Sequence, residues 1–125
     1  MNRQIRPLLV FVLSAVLYAP PMPTGTPGVA WVQQRLYGAL TRIENCRAWN
    51  NPGCLKFAHQ LGARKGPGGY ADFQNPVDGE RALKDRIARG AGRNVGEFLR
   101  HYNPKHKGYA RKAERLAGLE ASDRL

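Results

Sequence analysis

The chain is short of negative charge, of cysteine and histidine, and of unbroken hydrophobic sequence. Asp and Glu number nine against twenty Lys and Arg, a net charge of +11, and a charge that strong implies an anionic partner. The basic residues are scattered along the whole chain, with no concentrated tract of cations and interleaved aromatics, so a nucleic-acid partner is not expected. Two cysteines and the histidines His59, His101 and His106 show no spacing that could build a zinc site, and no metal or cofactor is expected. The apolar run "PLLVFVLSAVLYA" ends after 13 residues, short of the roughly 20 that cross a bilayer as a helix. No internal repeat, glycine-rich phosphate loop or Ser/His/Asp set is present.

What remains is enough for one domain. At 125 residues, 42% hydrophobic and 9% aromatic, the chain has the composition of a small globular protein with a single core. Its first 30 residues have another character: Arg3 and Arg6 precede the apolar run, and a Pro-rich stretch then ends in the small residues Gly28-Val29-Ala30. That is the layout of a secretory signal peptide cleaved after Ala30. An uncleaved anchor is the alternative, and only then would a membrane be a partner. Cleavage removes Arg3 and Arg6 and leaves 18 Lys and Arg against 9 Asp and Glu, a charge of +9 on 95 residues. Outside the cytoplasm the matching anions are cell-wall polymers, lipid head groups and acidic polysaccharides. A merely solubilising basic surface is the bland alternative.

Export also sets the chemistry of Cys46 and Cys54, because an oxidising compartment lets a disulfide persist. Closing a loop of nine residues would stabilise the fold by roughly 2.5 kcal/mol on the chain-entropy account. A cysteine nucleophile paired with a histidine is the remaining alternative.

Periodicity predicts a mainly helical domain of four or five short helices with at most a small β element. In "WVQQRLYGALTRIEN" the residues Val32, Leu36, Leu40 and Ile43 trace one helical face. Glu44 follows Leu40 by four and falls on that face, where burial and the negative end of the helix dipole both disfavour charge, the setting of a general acid. A glutamate turned out to solvent is the structural alternative. After the turn Asn50-Asn51-Pro52-Gly53 comes "CLKFAHQLG", a short helix or extended piece, and then "GARKGPGG", an exposed flexible linker. "YADF" reads as a brief extended segment. Asn75 caps a helix that starts at Pro76, carries Leu83 and Ile87 and stops at Gly90. Asn94 and Glu97 open the helix "VGEFLRHY", and a last helix carries Tyr109, Ala113 and Leu116 on one stripe.

The order of these pieces, "RIEN", "NNPGCL", "GYADFQNPVDGERAL", "VGEFLRHYNP" and "GYARKAERL", resembles the lysozyme-like superfamily of peptidoglycan-cleaving proteins. Secreted lytic transglycosylases look similar in the late Tyr-Asn, and flagellar-type glucosaminidases in the Asn-rich turn and the late Tyr pair; the resemblance covers about residues 31–118. The resemblance implies a lysozyme-like domain over 31–120 that cleaves peptidoglycan glycan strands, with Glu44 in the place of the catalytic glutamate. In the transglycosylases that one residue protonates the glycosidic oxygen and then takes the proton of the sugar's 6-hydroxyl, leaving a 1,6-anhydro end. Tyr102, Asn103 and Tyr109 match residues that line the family's cleft. Trp49, Asn51, Tyr70 and Phe73 are the further candidates for gripping sugar. A hydrolase would need a second carboxylate roughly 5 to 9.5 Å away, and Asp72 and Asp78 are the only candidates near in sequence.

Two departures from the family pattern stand out. Cys54 occupies the position of the usual Asn after Pro-Gly, with Cys46 two residues beyond Glu44, and 95 residues have no room for the sugar-binding arms of larger transglycosylases. A non-catalytic wall-binding protein that keeps the scaffold and holds an anionic polymer by charge is therefore the rival expectation.

Overall fold

The computed structural model describes residues 28–125; the segment predicted as a signal peptide lies almost wholly outside them. Four α-helices and a two-stranded antiparallel sheet make up the domain, as the periodicity predicts. Among the described residues no helix is long and apolar enough to cross a membrane.

Helix α1 (Val29–Ile43) buries Val32, Leu36, Ala39 and Leu40, so three residues of the predicted stripe are buried, Ala39 joins them, and Ile43 is only half-buried. It starts two residues ahead of the predicted cleavage point, and Val29 and Ala30 are both exposed. It ends where Glu44 N–H bonds back to Leu40 O and Asn45 turns to φ +28°.

Helix α2 (Pro76–Ala88) begins at the predicted proline, with Asn75 Oδ1 accepting from the Asp78 amide at 3.0 Å. Helix α3 (Val95–Tyr102) begins in the same way, Asn94 accepting from the Glu97 amide at 2.8 Å. Each cap satisfies an amide that the first helical turn leaves without a partner. Helix α4 (Tyr109–Ala117) stops at Gly118, whose φ of +66° closes the last turn. Its buried stripe is Tyr109, Ala113 and Ala117; Leu116, predicted to be buried, is 42% exposed. At about 100° per residue Ala117 lies about 40° from Ala113 and Leu116 about 60° on its other side, so a buried face centred on Ala113 takes Ala117 and leaves Leu116 at its edge.

α1 lies between α2 and α4, and α3 packs on α4. Leu36, Leu40, Leu83, Ile87, Phe98 and Leu99 fill the space between them with essentially no exposure. Each such side chain contributes about 1.5 to 3 kcal/mol by leaving water.

The region between α1 and α2 differs from its sequence reading. "GARKGPGG" is not a loose linker: Ala63–Lys65 forms strand β1, which pairs with β2 (Ala71–Phe73) in the register Ala63–Phe73, Arg64–Asp72, Lys65–Ala71. The glycines serve the turn, with Gly68 and Gly69 at φ +68° and +79°, a region closed to most side chains. "CLKFAHQLG" is extended, not helical, at its start, because Ala71 N–H bonds to Leu55 O and Phe57 N–H to Gly69 O. Long-range pairing with the hairpin overrides local helical preference there.

Candidate active site

Glu44 is half-buried at the C-terminal end of α1, as residue after the last helical turn. The chain leaves the helix there through a compact loop that the sequence builds in two ways. Cys46 and Cys54 are disulfide-bonded, their Cα atoms 5.2 Å apart, within the range a disulfide spans. The Cys54 sulfur sits 3.3 Å from the Glu44 carbonyl oxygen, so the clamp closes directly against the backbone that carries the carboxylate. The second device is Asn51. It is 1% exposed, donates Nδ2 to Leu55 O and Ala71 O, and accepts the Leu55 amide on Oδ1. Asn50 adds a bond from Nδ2 to Phe73 O. The asparagine pair thus ties the turn to strand β2.

Above this loop stand two tyrosines from different elements. Tyr109, the first residue of α4, donates its hydroxyl to Glu44 Oε1 at 2.6 Å. Tyr102, the last residue of α3, donates to Gly53 O at 2.5 Å, and the two rings stack with centroids 6.3 Å apart and planes 9° from parallel. Gly53 is required for this fit: a Cβ there would come within 2.6 Å of the Tyr102 hydroxyl and 2.7 Å of a Leu83 methyl. Burial, above all, raises both phenol pKa values, and the neighbouring Glu44 charge adds to it; for Tyr109 the bond to Glu44 contributes as well. Both hydroxyls therefore remain donors at every physiological pH. Among the described residues Glu44 Oε2 accepts no hydrogen bond from the protein, and Glu44 makes no ion pair.

The carboxylate opens onto a groove of about 730 Å³. Tyr70, Tyr102, Asn103 and Gly53 line it, together with the basic side chains Lys56, Arg86, Arg89 and Lys105. A second, adjoining cavity of about 480 Å³ also contains Glu44, now with Ile43, Tyr109, Lys112 and Arg115. Asn103 and His106 line both as well, so the two cavities adjoin one another around Glu44. Trp49 stacks on the Tyr70 ring at 5.4 Å and 19°, and Lys56 Nζ lies 3.7 Å from the centre of that ring on its face, a cation–π contact.

Of the eight residues expected at the site, five are brought together around the groove: Glu44, Tyr70, Tyr102, Asn103 and Tyr109. Trp49 buttresses Tyr70 from behind. Phe73 and Asn51 have to be corrected. Phe73 is 1% exposed in a small core with Ala71 and Ala82, and Asn51 has every polar atom engaged internally, so neither has surface to offer a ligand. The basic side chains Lys56, Arg86 and Arg89 escaped sequence reading. Arg86 lies in the last turn of α2 and Arg89 caps its C-terminus, three residues on and so on the same side, which was the available signal, but nothing in the sequence says that this side borders Glu44.

Glu44 is the one carboxylate among the residues lining either cavity. Asp72 is held by Arg64 at 2.9 Å, and Asp78 joins the cap of α2 with Asn75 and Arg81. Among the described residues no three His, Cys, Asp or Glu side chains cluster in a way that could hold a metal ion. No family model, curated protein or solved structure matches the chain.

Proposed function

We propose that this protein is an exported enzyme that cleaves the glycan strands of peptidoglycan by the route of a lytic transglycosylase, with Glu44 as its general acid and base. The observation that carries this reading is a half-buried carboxylate lining two adjoining cavities, held by the Tyr109 hydroxyl on one oxygen and, among the described residues, without a hydrogen-bond donor on the other.

In its protonated form Glu44 would deliver its proton to the glycosidic oxygen as the bond from that oxygen to the anomeric carbon breaks. The leaving sugar departs as an alcohol, and the carboxylate left behind draws the proton from the 6-hydroxyl of the retained sugar. That oxygen closes on the anomeric carbon to give a 1,6-anhydro end, and Glu44 is protonated again. One carboxylate serves both steps and no water is consumed. Two-carboxylate hydrolysis is less well supported, because Asp72 and Asp78 are engaged elsewhere and line neither cavity. Tyr70 lines the groove with Trp49 stacked on its ring and the Lys56 ammonium on a ring face, so a sugar ring would stack there only once Lys56 moves aside. The Cys46–Cys54 disulfide accords with export, since such bonds persist in oxidising compartments.

The test is to incubate the purified mature protein with isolated peptidoglycan and weigh the released fragments by mass spectrometry. Anhydro ends are expected, and Glu44→Gln should slow release by at least about 100-fold, the lower range for loss of a general acid and base. Reducing ends would reassign the reaction to hydrolysis. Undiminished release by Glu44→Gln, or none by the wild type, would overturn the role of Glu44; in the second case a wall-binding protein without turnover is what remains.

A further inference from the structure

Each of the two cavities that Glu44 lines carries several basic side chains, and Glu44 is the one carboxylate in either. On the side of Tyr70 the side chains are Lys56, Arg86, Arg89 and Lys105. On the side of Tyr109 they are Lys107, Lys112 and Arg115. None of the seven takes part in either of the two ion pairs among the described residues. Like charges gathered around a concave surface repel one another and raise the local concentration of counter-anions, so such a wall is stabilised by an anionic occupant. A neutral polysaccharide supplies no such charge. The strand that fits is one whose negative groups recur on both sides of the bond over Glu44.

Resting on the proposed peptidoglycan reading, we infer that the substrate is recognised through its carboxylates, those of the stem peptides and, where a lactyl ether carries no peptide, of that ether, on both flanks of the scissile bond. Glu44 acts on the bond, while Arg89 and Lys105 on one flank and Lys112 and Arg115 on the other hold the acidic substituents. All four are exposed, so their charges can be removed without opening the core.

The probe is insoluble peptidoglycan, either native or with its carboxyl groups converted to methylamides by carbodiimide and methylamine. Sedimentation of the Glu44→Gln protein reads binding, and fragment release by the wild type reads cleavage. Native strands should bind and be cleaved at least about tenfold better than amidated ones, the scale of electrostatic enrichment in a charged cleft. Arg89→Gln/Lys105→Gln and Lys112→Gln/Arg115→Gln should each bring the native value down toward the amidated one. Arg47→Gln/Lys65→Gln, which removes two exposed charges outside both cavities, should leave the preference intact.

Equal binding of native and amidated strands would overturn the inference even if both are cleaved and the enzymatic reading stands. So would an equal loss in the Arg47/Lys65 variant, which would reduce the effect to bulk charge. Preferential binding without any release would uphold carboxylate recognition and overturn catalysis instead.

Discussion

At Cys54 the backbone turns left-handed, with φ +46°, a conformation that costs a non-glycine L-residue roughly 1 to 2 kcal/mol. The disulfide to Cys46 holds the residue there against the Glu44 carbonyl, so one covalent bond both closes the loop and offsets local strain. The two contributions can be separated by substitution. Cys46→Ser with Cys54→Ser should cost about 2 to 3 kcal/mol by loss of the cross-link. Pairing Cys46→Ser with Cys54→Asn should recover about 0.5 to 1 kcal/mol of that, because Asn tolerates the left-handed region better than Ser. Urea unfolding of the two double variants provides the comparison; if the Asn variant is no more stable than the Ser variant, strain at position 54 contributes nothing.

Among the elements, α2 shows where local preference and packing disagree. Gly79 lies inside the first half of the helix, where Ala would be favoured by about 1 kcal/mol on propensity alone. A Cβ at that position would overlap the Asn50 carbonyl oxygen, which belongs to backbone and cannot swing away. Gly79→Ala should therefore destabilise by at least about 2 kcal/mol, the cost of forcing an atom into a packed contact, where propensity predicts a gain. A thermal melt decides the sign, and any stabilisation would mean that α2 does not dock on the asparagine turn so closely. The same contact marks the limit of what the sequence could reveal. Asn75-Pro76, Asn94 and the Val32–Leu36–Leu40 stripe are local signals, and the helices they predict are present. Glu44 on an apolar face was legible for the same reason. The pairing of residues 55–57 with the hairpin, the burial of Asn51 and Phe73, and the placing of Arg86 and Arg89 in the groove beside Glu44 all arise between segments distant in sequence. A period or a cap residue carries no information about such partners.

For the molecule as a whole, the link between α1 and the pair α3–α4 passes through two phenols whose pKa values are raised, chiefly by burial and then by the Glu44 charge. In the unfolded chain both would titrate near their ordinary value of about 10. Below that pH the folded and unfolded states each keep both protons, so the stability the tyrosines contribute is fully present and does not vary with pH. Above it the unfolded chain releases protons that the folded state retains, and the stability they contribute is lost as pH rises toward the folded values. Each tyrosine should add a downward slope of about 1.4 kcal/mol per pH unit in that window. Tyr102→Phe/Tyr109→Phe should lie below the wild type at neutral pH, having lost the hydrogen bonds to Gly53 and Glu44, yet fall less steeply beyond about pH 10. All other side chains are the same in both proteins, so the difference between the two curves isolates the phenols. Urea midpoints measured from neutral to strongly alkaline pH should converge as pH rises. Parallel curves would show that the tyrosines ionise as freely in the fold as out of it, and that the hydroxyl holding Glu44 is open to water.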